Sequence, residues 1–189
     1  LAQLQQEKPI QYITGEAWFY GLQFEVNENT LIPRPETEEL VEWIIESQKS
    51  KVKSQKFEIL DIGTGTGCIP ISLKANLPHV NVSAIDVSEK ALEVARRNAV
   101  SNKVEINFIQ TNILEVEDLS QLQTPNFQLP TSFDIIVSNP PYVRNLEKQE
   151  IKKNVLDYEP HLALFVEDTD ALLFYRKIAQ LALKNLAPN

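Results

Sequence analysis

Asn139-Pro140-Pro141-Tyr142 directly follows the run Phe133-Asp134-Ile135-Ile136-Val137-Ser138. The run is apolar, β-branched and of strand length, so it reads as a buried parallel strand. Two successive prolines stop a strand and remove two backbone donors. The residue before each proline is pushed toward extended geometry. The result is a stiff turn at the carboxyl end of a strand, carrying the Asn139 amide and the Tyr142 ring. In open α/β sheets, ligands bind at that edge. A rigid pair of hydrogen-bond acceptors beside a ring suits a planar group carrying an NH2. The plainer reading is a Pro-Pro turn that only ends a strand; a second motif upstream weighs against it.

That second motif is Leu60-Asp61-Ile62-Gly63-Thr64-Gly65-Thr66-Gly67-Cys68. A strand ends, three glycines alternate and a helix begins. Glycine permits tight turning and close approach of backbone to ligand. A dinucleotide fold wants G-x-G-x-x-G, but Cys68 stands where its last glycine would fall. Asp61, just before the loop, is poor company for a pyrophosphate and good company for an ammonium or sulfonium group. Asp86 ends the next strand about 20 residues later, where an acid hydrogen-bonds ribose hydroxyls. Asn112 and Ile113 follow the third strand, where an adenine ring fits with its edge on a polar group and its face on an apolar one. Together these describe S-adenosylmethionine, a nucleoside with a charged amino-acid tail. Taken singly, Asp86 is also a capping aspartate before Ser88, and Asn112 also has a purely structural reading.

The elements that must position these residues alternate. Glu58 to Ile62, Val80 to Asp86, Val104 to Gln110 and the strand before Asn139 read as strands. Cys68 to Leu77, with Pro70 in its first turn, and Ser88 to Asn98 read as helices between them. The pattern predicts an α/β fold: a Rossmann-like, doubly wound, mostly parallel sheet with right-handed crossovers. Ala17 to Ile32 reads as a β-hairpin turning at Asn27-Glu28-Asn29, with Thr30-Leu31-Ile32 as its second strand. Pro33-Arg34-Pro35-Glu36-Thr37 opens a helix carrying Leu40, Val41, Ile44 and Ile45 at helical spacing. The acids of its first turn suit the helix dipole, while Arg34 and Glu36 have an active-site alternative. Leu1 to Gln11 reads as helical. Short helices are expected near Asp118 to Leu122 and over Leu146 to Asn154, with an exposed loop up to Ser132. Asp157 to Phe165 reads as irregular, and Thr169 to Leu186 as a long amphipathic helix.

The 189 residues suit one sizeable domain, and 43% apolar with 23% charged residues is ordinary for a globular chain. No apolar run approaches the roughly 20 residues that cross a bilayer. Cys68 is the only cysteine, so no internal disulfide is possible and a reducing compartment, the cytoplasm, is expected. The net charge of -8 opposes nucleic acid; Lys49 to Lys56 is the densest basic stretch and reads as a solvated linker. No metal-ligand spacing occurs, and the isolated His79 and His161 read as structural. The chain starts at Leu1, holds no methionine and ends on a turn signal, so a piece of a longer protein is expected. Residues 1–16 would be the remnant of an N-terminal helical domain or a linker, 17–32 the hairpin, and 33–189 the catalytic domain without its last strands.

Asp61 to Gly67 together with Asn139 to Tyr142 resembles the class I S-adenosylmethionine-dependent methyltransferases. Three further stretches resemble the HemK/PrmC family of release-factor glutamine methyltransferases: Gln11 to Glu16, Phe19-Tyr20-Gly21-Leu22, and Leu31-Ile32-Pro33-Arg34-Pro35-Glu36-Thr37-Glu38. Tyr158-Glu159-Pro160 and Phe174-Tyr175-Arg176 fit as well. The N-P-P-Y motif is shared with adenine-N6 enzymes; the I-P-R-P-E-T stretch narrows the resemblance. Asn112 stands where the family often has Asp, and Phe165 to Asp170 lacks the glycines common there.

The resemblance implies methyl transfer to the side-chain nitrogen (N5) of the glutamine in the Gly-Gly-Gln loop of peptide-chain release factors, with S-adenosylhomocysteine as product. Asn139, Pro140, Pro141 and Tyr142 would form the substrate site, with Asn139, Pro140 and Tyr142 catalytic. Asp61, Gly63, Thr64, Gly65, Thr66, Gly67, Asp86, Asn112, Ile113 and Asn139 would hold the cofactor. An amide nitrogen is a poor nucleophile, so alignment with the S–CH3 axis is the main task. Asn139 Oδ1 and the Pro140 carbonyl would accept the two amide N–H bonds, and Tyr142 would pack on the amide plane. No general base is needed. A monomer without membrane or direct nucleic-acid partners is expected. A ribosomal-protein glutamine, an adenine-N6 target, and a non-catalytic nucleoside-binding module remain open.

Overall fold

The structure, a computed structural model, describes residues 2–48, 57–124 and 127–188. The basic stretch Lys49 to Lys56 lies outside the described residues.

The amino-terminal segment holds two short helices, α1 (Ala2–Gln5) and α2 (Ile10–Thr14). The single helix expected over Leu1 to Gln11 is broken at Pro9, whose ring removes a donor and pushes Lys8 toward extended geometry. Strands β1 (Glu16–Phe19) and β2 (Leu22–Glu25) then form an antiparallel pair. The hairpin is present, but it turns at Tyr20-Gly21 and not at Asn27-Glu28-Asn29. Both Tyr20 and Gly21 have positive φ, 48° and 74°, the signature of the two-residue turn that matches strand twist. Thr30 to Ile32 is irregular chain. Asn27 accepts the Thr30 N–H at its carbonyl, 3.0 Å, and the Asn29 N–H at its side chain, 2.9 Å. This turn redirects the chain across the main domain.

Helix α3 (Pro35–Gln48) follows, then β3 (Glu58–Ile62), α4 (Cys68–Asn76), β4 (Asn81–Asp86), α5 (Glu89–Ser101) and β5 (Asn107–Gln110). Two single 3-10 turns, Ile113–Glu115 and Leu119–Gln121, lead into a short hairpin of β6 (Gln123–Thr124) and β7 (Phe127–Gln128). The sequence suggested an exposed loop there; Leu119 and Leu129 are buried and pin the segment to the core. Strand β8 (Ile135–Ser138) completes a four-stranded parallel sheet in the order β5-β4-β3-β8. The order reverses at β3, so the switch point of this doubly wound sheet lies between β3 and β8.

Alternate residues of the strands feed two apolar layers. Ile59, Val82 and Val137 pack with Val41 and Ile44 of α3 and with Ile71 and Leu73 of α4. Leu60, Ile62, Ile85 and Ile109 pack on the other side with Leu119, Phe133 and Leu181. Burial on both faces explains why these strands read as continuous apolar runs.

After the sheet, β9 (Val143–Arg144) pairs in parallel with β10 (Phe165–Val166). Between them lie a 3-10 stretch, Asn145–Glu150, the helix α6 (Lys153–Tyr158) and a 3-10 turn, His161–Ala163. The helix expected over Leu146 to Asn154 is thus two pieces, and the segment read as irregular, Asp157 to Phe165, holds the last two residues of α6, the 3-10 turn and the first residue of β10. The final helix α7 (Leu173–Asn185) starts later than Thr169. Asp168 Oδ1 accepts the Leu146 N–H at 2.8 Å, and the Asp170 N–H closes a turn on Glu167 O, which spends residues 167–170 on a turn. No helix among the described residues is long and apolar enough to cross a membrane.

Candidate active site

A cavity of about 390 Å³ opens at the switch point. Its walls are the glycine loop, Asp86, Asn112 and Ile113, and Asn139 to Pro141; Leu31 to Arg34 and Pro160, Leu162 and Ala163 complete it. Parallel register explains the convergence: Ile62 stands beside Ile85 on one side and Ser138 on the other, so the carboxyl ends of three strands finish level. Ser138 Oγ donates to Ile62 O at 2.6 Å, which ties the two strand ends across the gap.

The glycine loop is held by its own amides. Gly63 N and Thr64 N donate to Ile85 O at 2.8 and 3.1 Å, and Gly65 N donates to Asp86 Oδ2 at 2.8 Å. Asp86 Oδ1 takes the Ser88 N–H at 2.9 Å. Asp86 therefore braces the loop and faces the cavity at once; burial raises its pKa above the ordinary carboxylate value. Gly67 is not on the wall. It packs α4 against α5, where an added Cβ would stand 2.9 Å from Ile71 Cδ1 and 3.1 Å from Ala95 Cβ.

Asp61 is fully buried one residue before the wall-forming Ile62 and does not itself reach the wall. Neither of its carboxylate oxygens has a hydrogen-bond partner among the described residues, and the nearby Thr64 Oγ1 is equally unpartnered. Burial pushes the Asp61 pKa up to about 7; Thr64 opposes the rise and the Asp86 charge adds to it. Cys68 lines the cavity, and burial pushes its thiol up to about 12, so it is a poor nucleophile.

Asn112 Oδ1 accepts the Leu114 N–H at 3.2 Å and its Nδ2 donates to Glu115 at 2.8 Å. It caps the 3-10 turn, as the structural reading has it, and it also lines the cavity, with Ile113 buried beside it. Asn139 Nδ2 donates to Thr37 Oγ1 at 3.3 Å, which leaves Oδ1 as the free end of the amide. Pro140 and Pro141 line the cavity, whereas Tyr142 is 58% exposed and stands off the wall.

Three residues that the sequence reading did not place in the site belong to its frame. Thr37 orients Asn139. Glu159, 4% exposed, accepts from Arg34 Nη2 at 2.6 Å and from Ile32 N at 3.1 Å. Tyr12 Oη donates to Thr30 O at 2.6 Å. The segment 30–34 is therefore clasped at residues 30, 32 and 34. Thr37 and Glu159 sit inside motifs quoted above, but only the tertiary contacts reveal what they do. His161 Nε2 lies 2.8 Å from Leu156 O and its ring meets Phe165 edge to face, while His79 is exposed; neither lines the cavity.

The arrangement fits a nucleoside with a charged tail: acids and unpartnered polar atoms around a glycine loop, an amide for an adenine edge, and Arg34 as the one basic side chain among the described residues of the wall. The same cavity carries Asn139 within its wall, so a ligand there lies next to a rigid amide acceptor.

The comparisons agree with this geometry. The chain is 65% identical over its whole length to a protein named release factor glutamine methyltransferase from Flavobacterium psychrophilum, and covers 63% of that protein. It is 48% identical over 98% of its length to a protein of the same name from Bacteroides thetaiotaomicron, covering 62% of it. The chain thus spans under two thirds of the length of these curated relatives. Among solved structures, the hMettl16 catalytic domain in complex with MAT2A 3'UTR hairpin 6 superposes with a TM-score of 0.61 at 20% identity, over 87% of this chain and 57% of that one; this likeness is one of fold. Residues 44–159, which carry the glycine loop, Asp86 and Asn139-Pro140-Pro141-Tyr142, match the model of the methyltransferase small domain, and the chain belongs to that family.

Proposed function

We propose that this chain is the catalytic part of an S-adenosylmethionine-dependent methyltransferase that modifies the N5 of the glutamine in the Gly-Gly-Gln loop of peptide-chain release factors. The observation that carries the reading is the fixed Asn139 amide. Its Nδ2 is committed to Thr37 and its Oδ1 is free at the wall of the cavity. The names of the relatives support the choice of substrate.

When bound, S-adenosylmethionine supplies an electrophilic methyl on its sulfonium. The protein's part is to present the nucleophile. Asn139 Oδ1 and the Pro140 carbonyl accept the two N–H bonds of the substrate amide, turning its nitrogen lone pair toward the methyl. Holding the reactants in line is worth several kcal/mol or more, and acceptors aimed at charge developing on nitrogen add to it. The alkylated nitrogen then loses its proton to water without a general base. Asp86 receives the ribose hydroxyls through the lone pairs its backbone bonds leave over, and Asn112 and Ile113 frame the adenine. Thr64 accepts from the ammonium end of the tail, the Asp61 charge behind it favours that cation, and Arg34 meets the tail carboxylate. Tyr142, on the outer side of the turn, contacts the incoming protein loop. The reaction belongs in the cytoplasm, where its substrate works, and the enzyme acts as a monomer.

Calorimetric titration with S-adenosylmethionine, followed by a methyl-transfer assay on release factors, tests the reading. Binding with transfer to release factor supports it. Binding with transfer only to adenine in nucleic acid, or with no transfer at all, contradicts it.

A further inference from the structure

We propose that Glu159 is a positioning residue for the cofactor: it holds Arg34 so that the guanidinium meets the tail carboxylate. The inference rests on the function proposed above and extends it to a residue outside the strand-end motifs.

Glu159 is unusual in being an acid with a side chain only 1% exposed. A buried carboxylate is tolerated only when paired and hydrogen-bonded. Both of its oxygens are engaged, Oε1 by Arg34 Nη2 and Oε2 by the Ile32 N–H. Its backbone is fixed as well, because the Glu159 N–H closes α6 on Val155 O at 3.0 Å. Arg34 is thus anchored to a rigid post. A guanidinium has five N–H donors, and Glu159 takes a donor from Nη2. Arg34 has no other hydrogen-bond partner among the described residues, its side chain is 32% exposed, and it lines the cavity.

The ligand's own charges explain the pairing. The tail carries a carboxylate, but the same molecule carries a sulfonium and an ammonium. An unpaired arginine would attract the first and repel the other two. Paired with Glu159, Arg34 is neutral at a distance and still offers directed donors at close range. The anchoring also spares the long side chain the loss of freedom that a free arginine would suffer on binding. Glu159 touches no reacting atom; it acts through Arg34.

The test compares calorimetric affinities of the full protein for S-adenosylmethionine and for decarboxylated S-adenosylmethionine, which lacks only the tail carboxylate. Charge-assisted hydrogen bonds of this kind correspond to roughly 10- to 100-fold in affinity. Arg34→Gln should weaken S-adenosylmethionine by about that much and leave the decarboxylated compound within about two-fold. Glu159→Gln, which keeps the shape and loses the charge, should reproduce the same selective loss, and the double variant should be no worse than Arg34→Gln. Glu159→Asp, which keeps the charge but draws Arg34 back, should also lose S-adenosylmethionine selectively; it serves if the Gln variant does not fold. Equal losses for both compounds would make Glu159 a structural residue only and overturn the inference, as would unchanged affinity in Glu159→Gln. Wild-type protein that binds neither compound would overturn the proposed function itself, and this inference with it.

Discussion

Asn139 and Thr37 are 102 residues apart, and the Asn139 Nδ2 donates to the Thr37 Oγ1 at 3.3 Å. The contact joins the stiff turn after β8 to the first turn of α3. It decides which end of the Asn139 amide is free, and on the proposed function that free end is the acceptor for a substrate NH2. Thr37→Val keeps the shape and removes the hydroxyl. Turnover should fall roughly 3- to 10-fold, the worth of one neutral hydrogen bond, with cofactor affinity unchanged. Asn139→Ala should cost about 100-fold or more in turnover, like the loss of an oriented transition-state partner. Steady-state kinetics beside calorimetry separates the two effects; a loss of affinity that matches the loss of turnover would move both residues out of the chemistry.

On the proposed function Asp86 has two tasks, so its substitution should show two effects. Asp86→Ala removes the acceptor for the Gly65 amide as well as the proposed ribose partner. Affinity for S-adenosylmethionine and for S-adenosylhomocysteine should fall by about 100-fold or more, since each charged hydrogen bond is worth about 1.5–3 kcal/mol. Unchanged calorimetric affinity would refute the ribose role.

Gly67 serves packing. Its φ is 79°, and an added methyl group meets Ile71 and Ala95. Gly67→Ala combines left-handed strain with overpacking, so a loss of about 2–4 kcal/mol is expected. A denaturant midpoint equal to that of the wild type would contradict the close approach of α4 and α5.

Asp61 should make the ligand-free protein less stable at neutral pH than in mild acid. Its pKa, about 7 in the folded chain, stands above the ordinary 3.8. Below pH 3.8 the group is protonated in both states and contributes nothing. As pH rises from there, the unfolded chain releases the proton first, and stability falls until the loss is complete above pH 7, on the order of 4 kcal/mol. Asp61→Asn should flatten that slope in urea titrations between pH 4 and 8. A cationic tail nearby favours the ionised acid, so cofactor affinity should rise through pH 7 in the wild type and not in the variant.

Much of this was legible because it depends on local pattern. The glycine loop, Asp86 and the Pro-Pro turn lie at the ends of strands whose apolar runs announce burial on both faces. What escaped was set by distant partners. Tyr20-Gly21 makes the hairpin turn because both residues accept positive φ, while Asn27-Glu28-Asn29, a stronger turn by composition, serves to bend the chain onto the cavity. Glu159 looks like any surface acid until Arg34 and the Ile32 amide are folded against it. Asp61 was expected at the site, and the strand register buries it just behind the wall. Tyr142 was expected over the substrate amide, and the structure shows it exposed and outside the cavity wall.

The central claim is that Asn139 presents a glutamine amide for methylation. The measurement that tests it most directly is fragment-ion mass spectrometry of release factor incubated with the full-length enzyme and S-adenosylmethionine. One added methyl on the side-chain nitrogen of the Gly-Gly-Gln glutamine, absent with Asn139→Ala, is the predicted result. A methyl on another residue, or the same modification at wild-type rate from the Asn139→Ala enzyme, would contradict it.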